Sequence, residues 1–327
     1  MIRHRSAVVL LALVVCAPMG RAADLDPYLP EDTESVLNVN FKQILASDLI
    51  KKQVLEMAQE ALRGNDQIQE VLKDLGFDPF KDLDRLVVAS PGGAEKDRGL
   101  IVLHGKFDVA KFKAKAEEVA KENSEHLKLH KVLGGKQMLY EVNMPDLDEP
   151  IFVAVPSRDT LVFSPGKDYV LDALKKSGKT EKPTLKNKKF QTLLEKLDGK
   201  QSVSLAVVKT PGITKALEQA PGDVKAILDT IQALGGGLTI SDEVKLEFVV
   251  TAENAKDAQE LQKSAKAGLG LATAGLAALT QSNPAPGIEL IVDFVKSISV
   301  KSNGANVVIK GRISSDTIEE AIKKKNQ

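Results

Sequence analysis

The stretch Ile298-Ser-Val-Lys-Ser-Asn-Gly-Ala-Asn-Val-Val-Ile309 spaces Ile298 and Val300 two apart before Asn303-Gly304, and Val307 and Ile309 two apart after it. Asn-Gly tolerates the positive φ values of a tight two-residue turn, whose twist matches that of the strands it joins. The stretch therefore reads as an antiparallel hairpin. Ser315 then caps a closing helix. A hairpin followed by a helix, without a helical crossover between strands, points to antiparallel sheets and the α+β class.

Moving backward from this hairpin, the same units recur. Val203, Leu205 and Val207 mark a strand, and 212–234 reads as helical. Leu238 to Ile240 and Val244 to Val250 form a hairpin around Ser241 to Glu243, and a long helix starts near Asn254. Toward the N-terminus, Leu37, Val39 and Phe41 alternate with Asn38 and Asn40, the period of a half-buried strand. Two helices follow. The first carries Ile50, Val54, Met57, Ala58, Ala61 and Leu62 on one stripe, and the second Ile68, Val71, Leu72 and Leu75. Strands are expected at 86–89, 100–106, 126–133, 137–142, 151–155 and 160–163, with helices after Asp108 and over 167–176.

Both halves read strand, helix, hairpin, helix, hairpin, helix. The expected fold is thus α+β, two tandem repeats of that unit with mainly antiparallel sheets and helices on one face. Each half opens as β-α-β-β-α-β, the ferredoxin-like order. The expected divisions are a signal peptide at 1–22, an extended lead-in at 23–34, and repeats at 35–180 and 181–327. The Lys-rich stretch Ser177 to Lys189 between the repeats reads as a solvated hinge.

Residues 1–22 have the export pattern: Arg3 and Arg5, the apolar run Ala7 to Ala17, then Gly20 and Ala22 as the small residues before a cut after Ala22. That run is shorter than the ~20 residues a membrane span needs. Cys16 follows Val15 and is the only cysteine, so the mature chain lacks disulfides and thiolate chemistry. A periplasmic or extracellular location is expected. Removing Arg3, Arg5 and Arg21 leaves a net charge of −3, too weak a field to attract nucleic acid or an anionic surface. Trp is absent and aromatics are few, which disfavours sugar and base-stacking platforms.

His126 and His130 alternate with Leu127 and Leu129, so on a strand they stand about 13 Å apart, too far to share a metal. His104 has no carboxylate or nucleophile nearby in sequence. Ser164-Pro-Gly-Lys167 has an acyl-enzyme spacing, but Pro165 and Gly166 favour a turn over the helix that this chemistry needs. Gly134-Gly135-Lys136 lacks the rest of a phosphate loop, and Asp146, Asp148 and Glu149 lack the calcium-loop pattern. No catalytic, cofactor-binding or metal residue is assigned, and no cofactor is expected.

Two segments remain. In Gly76-Phe-Asp-Pro-Phe-Lys-Asp-Leu-Asp-Arg85, Gly76 ends a helix, Asp78 caps a short turn and Pro79 suits its first position. Together with Tyr28-Leu-Pro-Glu-Asp-Thr-Glu-Ser-Val-Leu-Asn-Val-Asn-Phe-Lys-Gln-Ile-Leu45, it resembles a group of uncharacterised secreted bacterial proteins (a domain of unknown function) of the kind common in planctomycetes. The resemblance implies export and a repeated α+β fold, and it brings no catalytic residues. Ser264 to Leu279 is rich in Gly, Ala and Leu and reads as a helix packed between sheet and neighbours, or one lining a groove for an apolar ligand. The functional expectation is a non-catalytic binding or scaffold module of the cell envelope, with an unknown protein or an apolar ligand as partner. The alternatives are a carrier of an apolar ligand, or a hydrolase using carboxylates that spacing does not reveal. Nucleic acid and an integral span after signal cleavage are not expected.

Overall fold

The structure, a computed structural model, describes residues 25–92, 98–145, 147–177, 183–211, 214–215, 225, 228–282 and 288–325. The expected signal peptide, with Cys16 and the cut after Ala22, lies outside them. So do Asp146 and most of the expected helix over 212–234.

The strands are β1 (Ser35–Asn40), β2 (Leu83–Ser90), β3 (Leu100–Gly105), β4 (Leu127–Val132), β5 (Gln137–Val142), β6 (Ile151–Ser157), β7 (Thr160–Ser164), β8 (Val203–Val208), β9 (Ile231–Ile240), β10 (Glu243–Ala252), β11 (Ser299–Asn303) and β12 (Asn306–Ser314). Eleven helices are described. They are α1 (Phe41–Ala46), α2 (Asp48–Gln53), α3 (Leu55–Arg63), α4 (Asp66–Leu75), α5 (Pro79–Asp82), α6 (Val109–Glu122), α7 (Lys167–Lys176), α8 (Lys188–Glu195), α9 (Ala255–Ser282), α10 (Ile288–Ser297) and α11 (Ser315–Lys325).

All twelve strands join one sheet in the order β11-β12-β10-β9-β8-β1-β2-β3-β7-β6-β5-β4. Every pairing is antiparallel, so the α+β class stands. The ferredoxin-like order would set β1 in parallel within a split β-α-β unit. Instead β1 pairs antiparallel with β2 on one side and with β8 on the other. The two halves of the chain meet at that second pairing, Leu37 opposite Leu205, and the sheet runs through without a break.

The helices do not share one face. The front face carries Val36, Val87, Ala89, Leu100, Val102, Val162 and Ala206, packed under α7, α8 and the lead-in with Phe190, Val170 and Leu29 in one core. On the back face, α6 sets Phe112, Ala116 and Val119 against Leu127, Tyr140 and Val153. At the other end of that face, α9 sets Ala258 and Leu261 against Val250, Val300 and Val307. The reason lies in the strands. Runs such as Leu100-Ile-Val-Leu103 and Leu161-Val-Phe163 are apolar at consecutive positions, and adjacent side chains point to opposite faces.

The expected helix over 212–234 stops short, because β9 already starts at Ile231. Gly235-Gly-Gly237 lies in mid-strand. A Cβ on Gly235 would meet Leu193 Cδ1 at 2.7 Å, and one on Gly237 would collide with the Val203 carbonyl. The glycines are there for close packing.

Candidate binding surface

The register builds the back face row by row. One row runs Phe248, Gly236, Leu205, Leu37, Val88, Ile101 and Phe163, and the next Leu246, Leu238, Val203, Val39, Leu86, Leu103 and Leu161. Neither row contains a hydrogen-bonding side chain. Across β8, β1, β2, β3 and β7, the front-face partners of these residues are largely buried, whereas every large apolar side chain in the two rows is only half-buried. An apolar side chain kept partly wet forgoes about 25 cal/mol for each Å² left exposed. The two rows form a continuous, partly wet apolar surface across seven strands.

The segment of α2, α3 and α4 is tied at its start to the β9–β10 turn and at its end to α6. α3 and α4 are strongly amphipathic, yet neither buries a side chain. Met57 is 62% exposed, Val71 50% and Ile68 44%, all on the apolar stripes. The expected first helix is broken at Val54, whose φ of −125° leaves helical geometry and separates α2 from α3. At its start, Ser47 Oγ donates to the Ser241 carbonyl in the β9–β10 turn (2.8 Å). At its end, Asp74 pairs with Lys115 of α6 (2.8 Å), and Gly76 closes α4 in the left-handed conformation with φ 62°. Beyond it Asp78 caps α5 as expected, and Phe77 stacks on Phe107 at 5.4 Å.

The Gly/Ala-rich segment of α9 is not buried. Leu271 is 76% exposed, Gly268, Gly270 and Gly275 have nothing within 4 Å of a Cβ position, and only one side of the helix rests on the protein. Small residues all round permit close packing but do not compel it, so the expected sandwiching is corrected. No helix among the described residues is long and apolar enough to cross a membrane.

The most buried ionisable cluster among the described residues joins positions distant in sequence. Asp26 in the lead-in is only 4% exposed. Its Oδ2 accepts from Arg85 Nη2 (2.7 Å) and lies 2.5 Å from His104 Nε2, and its Oδ1 accepts from the Tyr28 N–H (3.1 Å). Arg85 and His104 are neighbours across β2 and β3. Burial pushes the Asp26 carboxyl up, but the hydrogen bond and charge of His104, the Arg85 guanidinium and the Tyr28 N–H outweigh it and hold the pKa below the ordinary value. The hydroxyl opposite His104, that of Thr160, already donates to Asp159. The cluster clasps the lead-in to the sheet. That lead-in is not simply extended: it turns at Asp26–Leu29 and Pro30–Thr33 and buries Leu25, Tyr28 and Leu29.

The other sequence candidates stay apart. His126 precedes β4 in a turn and pairs with Asn123, while His130 on β4 meets Glu141 at 2.8 Å. Glu141 also accepts from Lys128, and the Lys128 and His130 bonds lower its pKa. Ser164 ends β7 buried, its Oγ donating to the Gly99 carbonyl and accepting from the Gly166 N–H; Lys167 opens α7 and lies over the Phe152 ring at 5.8 Å. Gly134 and Gly135 turn the β4–β5 hairpin at φ 70° and 81°. Asp148 and Glu149 are exposed, and no group of three metal-ligating side chains occurs among the described residues. In the expected hinge, Leu185 is fully buried and Lys186 pairs with Glu31, so that stretch is partly docked.

No family model and no curated protein matches the chain. Among solved structures the chain is similar to TP0453 in crystal form III, with a TM-score of 0.49 and 13% identity over 93% of this chain and 99% of that one. It is also similar to crystal form I of TP0453, with a TM-score of 0.47 and 14% identity over 92% of this chain and 98% of that one.

Proposed function

We propose that this is an exported, non-catalytic binding module whose ligand is apolar and lies against the back face of the sheet. The observation that carries the reading is the pair of half-buried apolar rows across β8, β1, β2, β3 and β7. A surface without hydrogen-bonding side chains selects hydrocarbon or aromatic groups over polar ones. The ligand-lining role passes from the Gly/Ala-rich helix, whose Gly268, Gly270, Leu271 and Gly275 are exposed, to the sheet itself. The test is a fluorescence titration of the mature chain with 1-N-phenylnaphthylamine. Saturable binding, weakened by Leu103→Gln and untouched by Leu271→Gln, is expected; no saturable binding by the folded protein would sink the reading.

We also infer that the two halves are tandem repeats. Counted outward from β1 the strands run 1-2-3-7-6, and outward from β8 they run 8-9-10-12-11, which supports a shared plan with β4–β5 as an added hairpin.

A further inference from the structure

We infer that helices α2 to α4, residues 48–75, form a lid that closes over the back face; this rests on the apolar-ligand reading above. Three observations lead to it. First, the segment is held at both ends and little between. Ser47 is tied to the β9–β10 turn and Asp74 to α6, and α6 packs on β4. The two anchors therefore flank the apolar rows. Second, the lengths agree. Helices of 6, 9 and 10 residues rise about 38 Å in total at 1.5 Å per residue, and the eight strand spacings from β9 to β4 cover about 38 Å. Third, two apolar surfaces on the same side of the molecule are both left partly wet. The stripes of α3 and α4 hold no fully buried side chain and leave Met57, Ile68 and Val71 exposed, and the sheet rows between the anchors are half-buried. A ligand between them satisfies both at once, which neither surface achieves alone.

The breaks suit a lid. Val54 interrupts the helix between α2 and α3, and Gly64-Asn65 does so between α3 and α4. Ser47 at one end has an extended ψ of 133°, and Gly76 at the other is left-handed. Such element-terminal residues are where a lid absorbs its dihedral change.

The experiment uses the mature chain, which has no cysteine once Cys16 is removed. Met57→Cys places a thiol on the exposed stripe, and Leu271→Cys serves as a control on α9. Maleimide labelling rates are measured with and without saturating 1-N-phenylnaphthylamine, together with amide exchange of 48–75 in the unsubstituted chain. The lid predicts that labelling at position 57 and exchange over 66–75 both slow by roughly tenfold with the probe bound, while position 271 is unchanged. Saturable probe binding without slowing at either would overturn the lid and leave the binding reading intact. Absence of saturable binding would overturn both.

Discussion

Asp26 is a single residue on which the lead-in depends, because one buried oxygen serves both Arg85 and His104. Replacing it by Asn removes the charge and leaves the Arg85 guanidinium without its carboxylate, and the His104 ring without its anionic partner, in a largely enclosed site. Breaking such a pair costs about 3 kcal/mol, so Asp26→Asn is expected to lower urea stability by that order. The pH dependence follows from the lowered pKa. A carboxyl that ionises more readily when folded contributes stability above its unfolded value of 3.8, and that contribution is lost as pH falls through the lower folded value. Urea melts between pH 2 and 7 should therefore show a steeper acid limb for the natural chain than for Asp26→Asn; parallel limbs would contradict the assignment. None of this was legible in the sequence. Asp26 and His104 stand 78 residues apart, and nothing local marks either as a partner.

At the scale of elements, the glycines separate into two kinds with opposite expected signs. Gly237→Ala on β9 drives a methyl into the Val203 carbonyl and should destabilise by about 2 kcal/mol or more, read by thermal melting. Gly275→Ala on α9 meets open space and should stabilise by about 0.5–1 kcal/mol through helix propensity. Equal effects at the two positions would refute the packing described for both. The hairpins around Asn303-Gly304 and Ser241 to Glu243 were legible because a turn signal and a period of two act over a few residues. The start of β9 was not, since Gln232-Ala-Leu-Gly has the composition of a helix end and only strand neighbours decide otherwise. The face taken by each helix was equally hidden. It depends on which side of a strand a distant stripe meets, and apolar runs such as Leu161 to Phe163 offer both.

At the scale of the whole molecule, one sheet runs through both halves, and the front core mixes Val36, Ala206, Phe190 and Val170 from both of them. Unfolding is expected as a single cooperative transition, with circular dichroism and tyrosine fluorescence coincident in urea; two separated transitions would show that the halves hold independently. The sequence pattern conveyed the antiparallel class and most strands, but not the continuity of the sheet, since the β1–β8 pairing joins segments more than 160 positions apart. The candidate surface was concealed for the same reason: its rows exist only once seven strands are in register. The lead-in adds a matter of timing. Its contacts reach Arg85, Tyr169, Asn187 and Val208, up to the start of the second half. Synthesis proceeds at about 5–20 residues per second, so once made this segment waits on the order of ten seconds or more for its last partner. The part of the chain made early is the part that finishes the core late, and for that interval Leu25, Tyr28 and Leu29 are exposed cargo for whatever chaperone meets the nascent chain first.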